Sequence, residues 1–344
     1  MIVVDGSYGE GGGQLLRMAA ALSALRGVPV TVTDIRAGRP NPGLAAQHVT
    51  ALQVVAALCG ANVEGLEIGS KEIVFRPGPI EGGRHSFDVG TAGSITLVLQ
   101  ACLPVAFAAR EPVRLRLSGG TDVRWSPPLD YFARVFLPIL RRLGSHANIE
   151  LVRRGYYPRG GGLVEVTVEP ALRWSSIEMQ EPGGLRSIRG IAHVSNLPAD
   201  IPKRMKHAAM RRLHGFADAK IEERVYAGDD AIGQGGALVL WAETDHAILG
   251  ATSLAERGKS SEKVAEAAAK ELRAEIESGV TLDVHAADQV LVYLAQADGS
   301  SAFTVRDVSG HLNTMVWLLR QFVPREIAIA REGTRYKVSI EAEA

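Results

Sequence analysis

Six consecutive residues near the N-terminus, Gly9-Glu10-Gly11-Gly12-Gly13-Gln14, with Arg17 just behind them, carry the densest chemical signal in the chain. Glycines on either side of Glu10 let the backbone take positive φ and let a ligand approach closely. A short apolar run, Ile2-Val3-Val4-Asp5, leads in, and a helix-like segment from Leu15 to Leu25 leads out. Where such a loop opens a helix, free N–H groups and the helix dipole favour an anion. Glu10 is out of place in a bare phosphate cradle and makes sense if a divalent metal lies between carboxylate and phosphate. No Gly-Lys-Ser/Thr follows, so the loop is not a P-loop, and its spacing is not the dinucleotide fingerprint. A tight strand-to-helix turn without any ligand is the competing account.

Other candidates lie downstream. Arg36 and Arg39 sit in the Gly/Pro-rich loop from Ile35 to Gly43, where forked guanidinium groups suit phosphate and solvated surface charge is the alternative. Gln47 and His48 follow on the next helix. Gly90-Thr91-Ala92-Gly93-Ser94 opens an apolar helix in which Gln100 is the polar exception. A buried glutamine needs partners, either within the core or on a ligand. Ser118-Gly119-Gly120-Thr121-Asp122 and Ser126-Pro127-Pro128 come next, the prolines reading as loop scaffolding. Tyr157-Pro158-Arg159-Gly160-Gly161-Gly162 reads as a structural turn. Lys203, Arg204, Lys206, Arg211 and Arg212 crowd one helix, and a solvated face is preferred there to a phosphate track.

Near the C-terminus, Ser309-Gly310-His311-Leu312 passes from a loop into a helix. A histidine at a helix start feels the positive dipole end, which lowers its pKa. A neutral imidazole can act as nucleophile, base or metal ligand, although a single histidine is more often structural. No H-E-x-x-H or paired-cysteine pattern makes it a zinc site. Asp288-Gln289 supplies a further carboxylate for a metal or nucleotide.

The elements that must position these groups repeat. Strand 2–5, helix 13–26, strand 30–33, helix 43–59 and strands 62–68 and 72–76 give the order βαβαββ. The order recurs as strand 85–89, helix 94–108, strand 113–118, helix 129–143 and strands 149–154 and 163–168. A third, interrupted copy is expected from strand 187–194, helix 286–297, strand 302–305, helix 311–322 and strands 326–330 and 335–340. Extra sequence, roughly 196–280, has its own helices and strands. The expected fold is α+β: three βαβαββ units, each a four-stranded sheet with two helices on one face, plus a small inserted α/β domain. The main body takes 1–185 and 281–344, and the insert 186–280, with approximate bounds.

Composition narrows the class. The 344 residues are 46% hydrophobic and 22% charged with a formal net charge of zero. That balance disfavours wholesale charge-driven nucleic-acid binding but leaves room for a local basic groove. Cys59 and Cys102 sit in apolar helix-like runs, which fits buried reduced thiols. No signal peptide is evident, and the apolar stretch 95–109 is too short and interrupted to span a membrane. A cytoplasmic protein without a membrane partner is expected.

Taken together, the motifs resemble the RNA 3′-terminal phosphate cyclases along essentially the whole chain. The resemblance rests on Asp5-Gly6 with Gly9–Gln14, Arg36-Ala37-Gly38-Arg39, Gln47-His48, Gly93-Ser94 with Gln100, Ser118–Asp122, Gly160–Gly162, Asp288-Gln289 and Gly310-His311-Leu312. It implies three βαβαββ units with an inserted domain. It also implies ATP-dependent conversion of an RNA 3′-phosphate to a 2′,3′-cyclic phosphate through histidyl-AMP and RNA(3′)pp(5′)A. The resemblance makes His311 the nucleophile and Glu10 the ligand of Mg²⁺ or Mn²⁺. Gln100, Pro127, His285, Ala286, Ala287, Asp288 and Gln289 would line the ATP site. Arg17, Arg36, Arg39, Gln14 and Gln47 would face phosphates and RNA. The implied partners are ATP and RNA with a 3′-phosphate end, and a homodimer is compatible with it. The chain departs from the bacterial pattern at His285, where an aromatic stacks on adenine, and at Ala255, where many relatives have glycine. A non-catalytic cyclase-like protein of ribosome assembly is the alternative, disfavoured because such relatives lack the histidine. An enolpyruvyl transferase built from similar repeats is a weaker one.

Overall fold

The computed structural model describes residues 1–342 except 91, 172 and 217, so Thr91 of the Gly90–Ser94 motif lies outside the described residues. The protein is a mixed α+β structure built on several small mixed sheets with helices packed against them.

The first sheet contains β1 (Ile2–Asp5), β2 (Val30–Thr33), β3 (Asn62–Glu64) and β4 (Ile73–Arg76) in the order β1-β2-β4-β3. Helices α1 (Gly13–Arg26) and α2 (Ala46–Cys59) connect these strands. The Ala/Leu-rich α1 buries its residues from Leu15 to Ala24 and stops at Gly27, whose φ of 64° closes the helix without a Cβ penalty.

The second sheet holds β5 (Gly83–Asp88), β6 (Val113–Gly119), β7 (Ala147–Gly155) and β8 (Gly162–Val168). Between them lie α3 (Ile95–Phe107) and a broken helical stretch: α4 (Leu129–Tyr131), a π-turn Phe132–Phe136, and α5 (Leu137–Arg142). Helix α3 is apolar on nearly every side and correspondingly buried; Ser94 Oγ accepts from Leu97 N at 3.3 Å to cap its start.

Beyond residue 178 the chain departs from the expected path. Strand 187–194 was expected to begin the third repeat. Instead β10 (Leu185–Ser195) lies in a separate sheet between β11 (Ala219–Tyr226) and β13 (Gly235–Thr244), with β14 (Ile248–Leu254) outside β13. Its long buried run suits a central strand paired on both sides. Helices α6 (Asp200–Arg212) and α7 (Ser261–Glu277) pack there around a core that includes Met205, Leu240 and Leu272. The fourth strand of the last sheet is the two-residue β9 (Glu178–Met179), too short to show any periodicity. It pairs in parallel with β15 (Ser301–Val305), and the order is β16-β17-β15-β9 with β16 (Ile327–Glu332) and β17 (Arg335–Ile340). Helices α8 (Val284–Leu294) and α9 (Gly310–Phe322) accompany that sheet.

The second sheet also gains a fifth strand, where four were expected. β12 (Ala231–Ile232), from the segment between β11 and β13, pairs in parallel with Arg154 and Gly155. The basic face of α6 is ion-paired: Arg204 reaches Glu262 at 2.8 Å and Lys206 reaches Glu223 at 3.0 Å. Cys59 and Cys102 are buried free thiols, pushed up by burial to about 11 and about 12. Among the described residues no helix is long and apolar enough to cross a membrane.

Candidate active site

The glycine loop brings both ends of the chain together. Gly9 and Gly11 take φ of 62° and 53°, a left-handed backbone that turns the chain from β1 into α1. Gly12 is the N-cap of α1 and offers no side-chain cap, so the first N–H groups of the helix are left for a ligand. Helix α9 arrives from the other side, capped by Ser309, whose Oγ accepts from Leu312 N at 3.0 Å. This places His311 Nε2 at 3.4 Å from Glu10 Oε2. A Cβ on Gly310 would collide with Glu10 Oε1, so a side chain there would push the Glu10 carboxylate from its place beside His311.

Cations surround the pair. Arg39 Nη2 stands 3.9 Å from Glu10 Oε2. Arg17 is buried on α1, lowered by that burial to about 10 while Asp288 pulls the other way, and it stays charged at neutral pH. Burial lowers the pKa of His311; Glu10 opposes this, while Arg17, Arg39 and His285 push it down further. The imidazole is therefore neutral at pH 7, as its place at a helix start suggests.

A small cleft lies behind, lined by Gln14, Met18, Gln100, Phe136, Asp288 and Gln289. Gln14 Nε2 donates to Asp288 Oδ2, and burial pushes the Asp288 carboxyl up to about 7. Gln14 Oε1 and Gln289 Oε1 are buried there without a protein partner among the described residues, and Arg17 Nε is likewise buried and unpartnered on the same helix as Gln14. Two orphaned polar atoms in one cleft are what a polar ligand would satisfy.

The remaining candidates fall into place unevenly. Gln47 Oε1 accepts from Ser94 N at 3.4 Å, tying α2 to the start of α3. Pro127 O accepts from Thr96 Oγ1 at 2.7 Å, one turn before Gln100 on α3. Arg36 spends one guanidinium arm on Gly43 O at 2.8 Å, closing its own loop, and both burial and nearby Arg39 lower its pKa. Ala286 and Ala287 are buried in the core, and the Ala286 N–H is already taken by Asp283 Oδ1. His285 projects from α8 to Glu271 Oε1 of α7 at 2.9 Å; that bond raises its pKa to about 9.

Three buried residues receive no role from the sequence alone: His48 is noted only as following Gln47, and Asp283 and Arg154 are not singled out. His48 is buried against the glycine loop, where a Cβ on Gly13 would meet its Nε2. Its Nδ1 accepts from Ala45 N at 3.0 Å, and burial with Arg17 and Arg36 nearby depresses its pKa to about 3. Asp283 caps α8 through His285 N and Ala286 N, and its other oxygen holds Gly250 N at 2.9 Å. Its signal was available, an aspartate directly before a helical segment. Arg154 is wholly buried, bonded to Asp122 at 2.9 Å and Asp130 at 2.5 Å. In sequence it is one arginine of a charged strand end and gives no sign of this.

Glu10 is, among the described residues, the one carboxylate within ion-pair distance of His311. Among the described residues the one three-ligand grouping, Asp122, Asp130 and His193, lies elsewhere and is already occupied by Arg154. A single protein carboxylate fits Mg²⁺ or Mn²⁺ held mostly by phosphate oxygens and water.

A glycine-loop carboxylate, a neutral histidine and flanking arginines make a centre suited to handling phosphate. The chain belongs to the RNA 3′-terminal phosphate cyclase family, whose sequence profile matches residues 8–329. It is 52% identical over 340 residues to an RNA 3′-terminal phosphate cyclase of Nitrosospira multiformis, covering 99% of this chain and 96% of that one. Cyclases of Methanopyrus kandleri and Pyrobaculum neutrophilum are 46% and 44% identical; they align with 100% and 98% of this chain over 99% and 97% of their own lengths.

Proposed function

We propose that the protein uses ATP to convert the 3′-terminal phosphate of an RNA into a 2′,3′-cyclic phosphodiester, releasing AMP and pyrophosphate. His311 attacks the α-phosphorus of ATP; a P–N bond forms, the bond to pyrophosphate breaks, and histidyl-AMP results. The RNA 3′-phosphate then attacks the same phosphorus, freeing the imidazole and forming RNA(3′)pp(5′)A. Finally the 2′-hydroxyl, losing its proton, closes on the 3′-phosphorus and expels AMP. Dividing one difficult displacement between a covalent intermediate and an activated anhydride is nucleophilic catalysis.

The observation that carries this reading is the 3.4 Å approach of neutral His311 to Glu10 beside Arg17 and Arg39. Arg17 and Arg39 would neutralise phosphate charge, with Arg36, Gln14 and Gln47 holding the surrounding loops and RNA end. Gln100, Pro127, Asp288, Gln289, His285 and the backbone of Ala286 and Ala287 would border the nucleotide. Glu10 would hold Mg²⁺ or Mn²⁺, which supplies charge neutralisation at the phosphates when bound.

The same reading treats each of three sheets as a βαβαββ unit in a body of 1–185 and 281–344, with 186–280 inserted. The common strand order supports it, first-second-fourth-third in each case. We take the protein to work in the cytoplasm; a homodimer is compatible with the reading.

The test uses ATP labelled at the α-phosphate, with Mg²⁺ or Mn²⁺ and no RNA. Label should remain on the denatured protein, be lost in acid, be stable in alkali and be discharged by 3′-phosphorylated RNA. No label with either metal would favour a non-catalytic RNA-binding relative instead.

A further inference from the structure

We propose that Trp125 and Tyr157, with Arg159 beside Tyr157 in sequence, form a platform on which unpaired bases at the 3′ end of the RNA stack. The inference rests on the function proposed above and names where its RNA substrate lies.

Trp125 is 94% exposed and Tyr157 77% exposed, large apolar surfaces to leave in water. Trp125 also has φ of 61°, a left-handed backbone that a bulky residue rarely adopts. The loop around it is well anchored. Ser126 Oγ donates to Val123 O at 2.8 Å, Pro127 O is held by Thr96, and Arg124 reaches Glu256 at 2.7 Å. The turn carrying Tyr157 is equally fixed. Tyr156 is buried, with its hydroxyl 3.1 Å from His193 Nδ1 and accepting from Ser195 Oγ at the same distance. These aromatic groups are displayed by a rigid support.

Both lie at one end of the second sheet. Gly119, the last residue of β6, pairs with Gly162, the first of β8, and Thr121 N donates to Gly155 O at 2.9 Å. The loop holding Trp125 thus leaves the sheet beside the strand ends that the Tyr157 turn connects. The start of α3 sits at the same end, where Ile95 N donates to Gly120 O at 3.0 Å. Gln100, farther along α3, lines the cleft assigned to the nucleotide, and Trp125 takes no part in that lining.

The chemistry fits single-stranded RNA. Aromatic faces accept any base by stacking, and exposed Arg159, without an ion pair among the described residues, can meet the backbone phosphates. The adenine of ATP is the competing occupant, and the test separates the two.

The experiment compares Trp125→Ala, Tyr157→Ala and their double variant with Trp125→Phe. It measures self-labelling by ATP, cyclisation of a 3′-phosphorylated oligoribonucleotide, and its binding by fluorescence anisotropy. The double variant should keep its labelling rate and ATP dependence, raise the KM for RNA about tenfold or more, and change kcat little. Trp125→Phe should restore most of the loss. An unchanged RNA KM in a normally labelling double variant would overturn the platform, and a rise confined to the KM for ATP would assign the aromatics to adenine. Were the wild type to take no label, the reaction proposed above would fail, while undiminished RNA binding by the double variant would separately overturn the platform.

Discussion

His311 Nε2 and Glu10 Oε2 stand 3.4 Å apart, although one residue belongs to the first loop and the other to the last long helix. The pair makes the glycine loop and the start of α9 a single chemical unit. A carboxylate this close raises the basicity of the imidazole, whereas burial and two arginines lower it, and the lowering prevails.

The acid limb of the self-labelling rate should report that balance. The nucleophile is the neutral imidazole, so the rate should be level near pH 7 and fall on acidification through a pKa below the ordinary 6.5. Glu10→Gln removes the one contribution raising that pKa. Its acid limb should move to lower pH, even as the maximal rate drops. Single-turnover labelling between pH 4 and pH 8, fitted for the limb, checks this; a shift to higher pH would contradict the assigned electrostatics.

Gly310→Ala should separate activity from stability. Alanine is the better helix former, by about 0.5–1 kcal/mol, so thermal stability should hold or rise slightly. Its Cβ would nevertheless drive Glu10 away from His311. Labelling should fall about tenfold or more. An active G310A protein would mean that the close approach of the two segments is dispensable.

Arg154→Met should be severely destabilising. Arg154 is buried between Asp122 and Asp130, with its guanidinium 4.7 Å from the centre of the Tyr226 ring. Removing it strands two buried carboxylates, at a cost of about 3–5 kcal/mol. Adding Asp122→Asn and Asp130→Asn should recover part of that loss in urea denaturation. A triple variant no more stable than R154M would show that charge compensation is not what the arginine provides.

His48 should make the fold sensitive to acid. Its folded pKa of about 3 lies below the unfolded 6.5, so the unfolded chain binds the extra proton between those values. Its contribution to stability is therefore present above pH 6.5 and lost as pH falls towards 3, in total about 4–5 kcal/mol. Asp288 acts in the opposite sense: raised to about 7, it favours the folded state at low pH, and that preference fades as pH rises through 7. Subtracting the urea stability of His48→Gln from wild type at each pH isolates the histidine, and a flat difference would refute its role.

Much of this architecture was legible in the sequence because alternation and helical periodicity are strong in long elements. α1, β2 and β17 fall at the expected residues, and the glycine loop and His311 stood out from residue types alone. What escaped detection depends on partners distant in sequence. β9 is two residues long and becomes a strand only through β15, while β10 has the pattern of any buried strand and nothing local says which sheet it joins. Arg154 reads as surface charge until Asp122 and Asp130 fold round it. Ala286 and Ala287 matched a motif by position, yet their side chains face the core and leave only backbone towards any ligand.

The pairing of β9 with β15 has a consequence for how the protein is made. A ribosome delivers Glu178 and Met179 well before residues 301–305 exist, so this strand must wait unpaired while the intervening sheet forms. Arg154 likewise awaits β12, whose two residues border it in the finished sheet. Synthesis from one end to the other cannot complete these layers in the order in which they are translated. Such long-range closure slows folding and prolongs exposure of strand edges. A nascent chain stalled before residue 301 should therefore be a chaperone client, even though its first sheet is already whole.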